Sequence, residues 1–211
     1  MDNPVLIFGS GSLGVMALDI FQRNQVVVYG FLDDKKELHG KEFGDVQVLG
    51  ETDDDGFLKL IGQKCEAFIG IGDTRVRKRL VKMLNDRRHV QPVNAVHDKA
   101  VVSALASIGH GNLIAANAVV NAFATVGQHC IIQSGAVIES QAKLGDFVQV
   151  GTGSFVNSGV VVENEAFIGT GAVIIAGVTI GKGARIGAGS VVVENVGAGE
   201  TVFGNPARKV G

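Results

Sequence analysis

The chain of 211 residues lacks tryptophan and has a single tyrosine, Tyr29. Few aromatic rings are available for stacking on bases, which argues against single-strand nucleic-acid recognition. A net charge of −2 and a pI near 6.2 also argue against nucleic acid or an anionic membrane as a partner. No apolar run reaches membrane-spanning length, and no basic segment precedes the first apolar residues. The sequence therefore predicts neither a membrane span nor a signal peptide.

Cysteine is also scarce, with Cys65 and Cys130 in different halves of the chain. Two distant cysteines are typical of a reduced, cytoplasmic protein rather than a disulfide-stabilised secreted one. No metal site is predicted.

What the sequence has in abundance is a six-residue repeat. From Val96 to Val192 every sixth residue is Val, Ile or Leu, seventeen times without a miss. A small residue follows four positions later in most repeats: Ala100, Ala106, Ala118, Ala124, Cys130, Ala136, Ala142, Ser154, Ala166, Ala172, Ala184 and Ser190. A six-residue period predicts a parallel β-helix, an all-β solenoid.

The geometry of such a solenoid assigns a role to each position. Three edges make one coil of eighteen residues, so Val120, Ile138 and Val156 are expected to stack on one inner face. The small residues turn inward near the corners, where a large side chain would clash. Paired glycines are predicted to allow positive φ at the corners: Gly151, Gly153, Gly169, Gly171, Gly181, Gly183, Gly187 and Gly189.

The N-terminal half differs, and we predict a domain boundary between residues 94 and 95. Domain 1–94 is interpreted as α/β, with strands at 5–8, 26–32 and 67–72 and a basic helix at 74–85. An apolar helix follows the first strand. Strand, helix and strand in this order predict a parallel sheet.

The first strand leads into a glycine-rich loop with Gly9, Gly11 and Gly14, and Asp33 and Asp34 follow about twenty residues later. This is the pattern of a Rossmann-like nucleotide site, in which glycines let a phosphate approach the helix N-terminus. An acidic residue after the second strand is suited to bind a ribose hydroxyl. A domain of under a hundred residues is large enough for one mononucleotide-binding half of a Rossmann fold but not for two. This favours a nucleotide diphosphate-sugar over NAD as the ligand.

The end of the third strand, with Gly72 and Asp73, is predicted to line the same edge, as is Leu13 of the glycine loop. Arg77 is a candidate contact for a phosphate or a sugar hydroxyl. The alternative, a solvated helix face with Arg75, Lys78 and Arg79, fits this basic helix equally well.

Together the two domains resemble the bacterial nucleotide-sugar acetyltransferases. This family includes sialic-acid O-acetyltransferase-like enzymes and N-acetyltransferases of UDP- and GDP-linked amino sugars. The resemblance is carried, besides the hexads, by residues 7–9, 31–34, 70–73, 94–97 and 204–208. It implies a left-handed parallel β-helix, a homotrimer, and acetyl-CoA in the groove between adjacent prisms. It also implies that the nucleotide-linked sugar reaches this groove from a neighbour's N-terminal domain, and a role in glycan biosynthesis.

The sequence departs from the family where the chemistry is expected. Ser140 stands at the position of the family's catalytic histidine, and Gln149 stands at that of a second histidine. Glu139 matches a family residue that supports the histidine, and Leu13 replaces a histidine of the glycine loop. His110 and His129 are not expected to take over, since His110 lies on another face and His129 is predicted to point outward.

The resemblance also suggests where CoA binds. Ser158, Gly159 and Ala176 are candidates on one wall of the groove, and Thr170 and Ala188 on the other. These residues are small, as close approach of a pantetheine arm requires, although small residues at prism corners need no ligand.

Two functions remain open. In one the protein is an acetyl-CoA-dependent sugar acyltransferase, with N-acylation easier to reconcile with the missing base because an amine sheds its proton more readily than a hydroxyl. In the other it is a catalytically silent trimeric scaffold or a nucleotide-sugar-binding regulator. NAD-dependent chemistry is a third reading, but no hydride-transfer partner follows the glycine motif.

Overall fold

A computed structural model describes residues 3–210 of the chain. The chain divides into two compact units, residues 1–98 and 99–211, so that Val96, the first aliphatic residue of the repeat, falls in the first unit. None of the helices within residues 3–210 has the length and apolar character needed to cross a membrane.

The first unit contains a five-stranded sheet. Its strands are ordered β3-β4-β2-β1-β5 and are parallel except for the β3–β4 hairpin, which confirms the predicted parallel sheet. The strands of the unit are β1 (Val5–Phe8), β2 (Val28–Leu32), β3 (Glu42–Phe43), β4 (Val46–Gly50), β5 (Glu66–Ile69) and the short β6 (Ala95–Val96). The helices are α1 (Ser12–Arg23), α2 (Asp55–Leu58) and α3 (Thr74–Arg88), with a 3₁₀ turn at Lys36–Leu38.

Strand β1 lies between β2 and β5 and is buried on both faces, as its continuous apolar run requires. Phe21 of α1 packs edge-to-face on Phe68 of β5 with ring centroids 5.6 Å apart. Because β2 and β5 pair with opposite sides of β1, the strand order reverses there. A crevice therefore opens at the carboxyl ends of these strands.

The second unit is a three-sided prism of two-residue strands. They are β7 (Val101–Val102), β8 (Ser107–Ile108), β9 (Leu113–Ile114), β10 (Val119–Val120), β11 (Thr125–Val126), β12 (Ile131–Ile132), β13 (Val137–Ile138), β14 (Lys143–Leu144), β15 (Gln149–Val150), β16 (Phe155–Val156), β17 (Val161–Val162), β18 (Phe167–Ile168), β19 (Val173–Ile174), β20 (Thr179–Ile180), β21 (Arg185–Ile186) and β22 (Val191–Val192). A hairpin of β23 (Thr201–Gly204) and β24 (Ala207–Lys209) follows.

Each strand of the prism pairs in parallel with the strand eighteen residues away, which confirms the predicted coil. The first sheet contains β7, β10, β13, β16, β19 and β22, the second β8, β11, β14, β17 and β20, and the third β9, β12, β15, β18, β21, β23 and β24. The second residue of each strand from β9 to β22 points inward and is buried, as are the small corner residues from Ala118 onward.

Three columns of turns connect these sheets. We call the turns from the first to the second sheet the first corner (103–106, 121–124, 139–142, 157–160, 175–178). Those from the second to the third sheet are the second corner, and those from the third back to the first are the third corner.

The glycine prediction is half right. Gly153, Gly171, Gly183 and Gly189 have positive φ, and so does every sixth residue from Gly111 to Gly189, including Phe123, Gln141 and Phe147. Gly151, Gly169, Gly181 and Gly187 do not. Glycine is needed at these positions for another reason, because a Cβ would strike a neighbouring part of the chain. At Gly151 it would lie 2.5 Å from the Thr170 nitrogen of the next coil, and at Gly187 it would strike the Phe203 ring of β23.

The prediction that His129 points outward is wrong. Its side chain is only 3% exposed and stacks on Phe147, with ring centroids 5.0 Å apart. The left-handed backbone at this second-corner position turns the ring back over Gly111, whose missing Cβ leaves the necessary space. His110, in contrast, is exposed.

Candidate functional site

A cleft of about 360 Å³ opens at the carboxyl edge of the first unit's sheet. Its walls come from the segments that follow β1, β2, β4 and β5, so four separate parts of the sequence meet there. The lining residues are Gly9, Gly11, Ser12, Leu13, Asp33, Asp34, Lys35, Thr52, Gly70, Ile71 and Gly72. Of the predicted binding residues, Gly9, Gly11, Leu13, Asp33, Asp34 and Gly72 are thus brought together.

The glycine loop is shaped by backbone packing. Gly9 has φ +93°, a conformation that favours glycine. Gly14 does not line the cleft, and a Cβ there would strike the carbonyl of Gly9, so this residue lets α1 pack against the loop. Helix α1 begins after Gly11 with no side-chain cap and no acidic residue in its first turn. Its N-terminus is therefore suited to bind an anion such as a phosphate.

Asp33 holds this loop in place. Its Oδ2 accepts hydrogen bonds from the Ser10 backbone N–H at 2.9 Å and from the Ser10 hydroxyl at 2.8 Å. Burial raises the pKa of Asp33, but these bonds and one from the Lys35 N–H outweigh it and lower the pKa below its ordinary value of 3.8. The carboxylate therefore stays charged at neutral pH and fixes the loop.

Asp34 lies at the opposite wall and is bound mainly through one oxygen. Its Oδ1 accepts from the Thr52 N–H at 2.9 Å and from the Thr52 hydroxyl at 2.7 Å, while Oδ2 lies 3.7 Å from Arg79. The Asp34 and Arg79 side chains are both more than half exposed, so each remains accessible to a ligand.

Besides Gly14, two predicted binding residues lie outside the lining of the cleft, Asp73 and Arg77. Asp73 caps α3 by accepting hydrogen bonds from the Val76 and Arg75 N–H groups, which lower its pKa. Arg77 is only 1% exposed, and its Nη1 donates to the carbonyls of Ile71 and Gly72 at 2.6 and 3.1 Å. It thus fixes the cleft wall from behind and does not belong to a solvated helix face.

Ser10 and Thr52 are the two polar partners that sequence reasoning missed. Ser10 stands inside the glycine motif, where its hydroxyl is a recognisable signal for a bond to a following acidic residue. Thr52 lies two residues after the end of β4, a strand that the sequence pattern did not predict, so nothing in its neighbourhood indicated a place beside Asp34.

In the second unit, Glu139 and Ser140 lie at the first corner of the prism. Glu139 Oε2 accepts a hydrogen bond from Asn121 Nδ2 at 3.0 Å, from the coil before. Ser140, Ser158 and Ala176 occupy equivalent positions in three successive coils, eighteen residues apart. The Ser140 carbonyl accepts from the N–H of Gly159 at 3.3 Å.

Gln149 lies elsewhere in the same chain. It faces outward from β15 in the third sheet, which is the side of the triangle opposite the first corner. A single prism therefore does not bring Gln149 together with Glu139 and Ser140.

The predicted CoA residues are also divided between corners. Ser158, Gly159 and Ala176 are exposed at the first corner, and Thr170 and Ala188 are exposed at the third. The outward face of the first sheet lies between these corners and is apolar in all six strands, with Val101 62% and Phe155 45% exposed. Its outward residues are Val101, Val119, Val137, Phe155, Val173 and Val191.

Comparison with known proteins identifies both units. The PglD N-terminal domain family matches residues 4–84, and the bacterial transferase hexapeptide family matches residues 106–140 and 159–194. A structure of perosamine N-acetyltransferase from Caulobacter crescentus, with CoA and GDP-perosamine, superimposes with a TM-score of 0.91 at 32% identity. The match covers 100% of this chain and 98% of that one.

The chain belongs to the nucleotide-sugar acetyltransferase family. Its prism is the left-handed β-helix of that family. Two further members are similar along their whole length: the acetyltransferase domain of PglB from Neisseria gonorrhoeae (TM-score 0.91, 27% identity, 99% and 100% of the two chains) and WeeI from Acinetobacter baumannii (0.87, 27%, 98% and 99%). The PglB domain has also been crystallised with acetyl coenzyme A. No curated protein sequence matches the chain.

Proposed function

We propose that this nucleotide-sugar acetyltransferase transfers an acetyl group from acetyl-CoA to the amino group of a nucleotide-linked amino sugar. The observation that carries the proposal is the end-to-end similarity to perosamine N-acetyltransferase, a protein crystallised with both CoA and GDP-perosamine. Both units are needed for this function, one for each substrate.

The cleft of the first unit suits the nucleotide diphosphate. The uncapped N-terminus of α1 supplies backbone N–H donors and a positive dipole end, which favour a phosphate. Gly11 has no atom within 4 Å of where its Cβ would stand, so the approach is open. Asp33 holds the loop after β1 and Arg77 holds the loop after β5. Asp34 remains accessible for a hydroxyl of the nucleotide or sugar.

An amine is the better acceptor because of the residue at position 140. Serine has no basic group at neutral pH, so activation of a hydroxyl nucleophile would lack its usual base. An amine is nucleophilic once neutral. Perosamine N-acetyltransferase variants with one histidine changed to asparagine or alanine still hold CoA and GDP-perosamine, so binding of both substrates survives such a loss.

A homotrimer completes the site in this proposal. The apolar outward face of the first sheet would become buried between copies. In such a trimer, the first corner of one copy would lie beside the third corner of its neighbour. Ser158 and Ala176 from one copy, and Thr170 and Ala188 from the next, would form the two walls of the CoA groove, and Gln149 of a neighbour would reach Ser140.

Acetyl-CoA binding tests the donor site without knowledge of the sugar. We expect a calorimetric titration to show binding, and about a hundredfold excess over Kd to stabilise the fold by about 2.7 kcal/mol. CoA release is then measured with GDP-, UDP- and dTDP-linked amino sugars, beginning with GDP-perosamine. Absence of binding at millimolar acetyl-CoA would refute the transferase and leave a nucleotide-sugar-binding scaffold.

The trimer is tested by charge on the apolar face. Phe155→Glu should convert a trimer into monomers in light scattering, because three carboxylates would have to be buried at the interface. Lys143→Glu, on the outward face of the second sheet, is the matched control and should leave the mass unchanged. A wild-type protein that is already monomeric would contradict the shared groove.

A further inference from the structure

The first corner of the prism contains a single ionisable side chain between residues 103 and 178, and it is Glu139. The corner residues in the coils before and after it are Asn121, Ala122, Asn157, Ser158, Ile175 and Ala176, among others, and none of them carries a charge. The nearest cation along the same edge is Lys143, on the exposed face of β14. Among the side chains of this corner between residues 103 and 178, only Glu139 can therefore act as a base.

The carboxylate of Glu139 is held in position. Asn121 Nδ2 donates to Oε2 at 3.0 Å, and within residues 3–210 the structure records no further hydrogen bond to this carboxylate. Asn157, at the equivalent position one coil later, differs because its amide donates to the Ile174 carbonyl at 2.8 Å. Of the two asparagines, only Asn121 orients the acid, and Oε1 remains available to a substrate.

The side chain is partly exposed, directly beside Ser140. A carboxylate fixed at one oxygen and open at the other is the arrangement of a general base, provided that a proton donor comes within hydrogen-bond reach. The neighbouring serine offers a hydroxyl of negligible basicity, so it does not compete for the proton.

We propose that Glu139 is the general base of this enzyme, in the role that the family gives to the histidine at the position of Ser140. This proposal rests on the function proposed above. Asn121 is a positioning residue that keeps the carboxylate turned toward the acceptor.

The reaction balances without any further reagent. The sugar amine attacks the thioester carbonyl carbon, forming the C–N bond and a tetrahedral intermediate, and Glu139 accepts the proton that the nitrogen loses. The C–S bond then breaks, and the departing thiolate of CoA receives that proton. The products are the N-acetyl sugar and CoA, and Glu139 returns to its carboxylate form.

The principal test is Glu139→Gln, which keeps the shape of the side chain and its bond to Asn121 but removes the base. We expect kcat for CoA release from acetyl-CoA and GDP-perosamine, or whichever amino sugar supports turnover, to fall about 10²–10⁴-fold. The KM values of both substrates should change less than about threefold, since the interaction matters in the transition state.

A matched control is Glu163→Gln. Glu163 occupies the same hexad position at the second corner, where it accepts a hydrogen bond from the Lys182 N–H at 2.7 Å. This variant should keep the wild-type kcat. Asn121→Ala keeps the carboxylate but removes the hydrogen bond that orients it, so this variant should lower kcat by a smaller factor than Glu139→Gln. It replaces Glu139→Gln as the test if that variant folds poorly.

Rescue separates a base from a structural residue. Adding Ser140→His to Glu139→Gln restores a base at the neighbouring position, so we expect kcat to recover at least tenfold. Full kcat in Glu139→Gln, or no recovery in the double variant, overturns the assignment while leaving the transferase intact. A wild-type protein that releases no CoA with any nucleotide-linked amino sugar refutes the proposed function itself, and the assignment with it.

Discussion

The two units reach stability by opposite means. The first unit depends on individual contacts that occur once, such as the Asp73 cap of α3, the Arg77 bonds to two carbonyls and the Phe21–Phe68 pair. The second unit repeats one set of contacts every eighteen residues. Loss of one contact in the first unit has no equivalent to replace it, whereas each coil of the prism supports its neighbours in the same way.

This difference shows where to look for function. In the prism, a side chain that breaks the repeat stands out, as the Asn121–Glu139 pair does at a corner with no other charge between residues 103 and 178. In the first unit no polar contact is repeated, so none of them stands out in this way. There, binding residues can be told from structural ones only by whether they line the cleft.

The largest effect is expected from a cavity inside the prism. Ile138→Ala should lower the free energy of unfolding by about 2–5 kcal/mol, because Ile138 is fully buried between Val120 and Val156 and the coils cannot collapse around a gap. Chemical denaturation measures the loss, and hydrogen exchange should locate it in the second unit. Lys143→Ala, on an exposed face, is the control, and a loss below 1 kcal/mol in Ile138→Ala would contradict the packed interior.

A pair of glycines in one turn gives a sharper comparison. Gly169→Ala should cost about 3 kcal/mol, because its Cβ would lie 2.6 Å from the Ala188 nitrogen in the next coil. Gly171→Ala should cost about 1 kcal/mol, because its Cβ meets no atom within 4 Å and only its φ of +67° is unfavourable. Thermal unfolding of both variants checks the order; equal losses would mean that close approach of the coils is not what selects glycine.

A smaller, pH-dependent effect is expected in the first unit. The pKa of Asp33 is lower in the folded protein, so the carboxylate contributes stability that is present above its ordinary value of 3.8 and lost as pH falls through the folded pKa. Asp33→Asn should weaken the loop at neutral pH and flatten the acid dependence below about pH 3.8. Hydrogen exchange of residues 9–14 is the measurement, with coils 120–190 as an internal reference; parallel pH profiles in both proteins would contradict this role.

Much of the fold followed from the sequence. The aliphatic residue at every sixth position predicted the strands, the eighteen-residue coil and the inward column through Ile138, because a repeat can bury its apolar edge only against copies of itself. The parallel sheet and the lining residues Gly9, Gly11 and Asp33 also followed, since loops at the carboxyl ends of parallel strands meet at one edge.

Other features required the structure. The burial of Arg77 depends on loop carbonyls at 71 and 72 that curl back toward α3, and the inward turn of His129 depends on a missing Cβ at Gly111 in another coil. Neither feature could be predicted from the pattern of apolar residues. The partners of Arg77 are backbone carbonyls, and the space for His129 comes from a glycine eighteen residues earlier, in the preceding coil.

The sequence by itself determined the prism, its register and the place of the glycine loop, because these depend on periodicity and on the steric demands of glycine. Only the tertiary structure decided which polar side chains serve the fold and which face a ligand. Hydrogen bonds assign Asp33, Asp73 and Arg77 to the framework of the cleft and leave Asp34 accessible. At the prism corner, the Asn121 amide orients Glu139 because the two residues, eighteen positions apart in the chain, lie in adjacent coils.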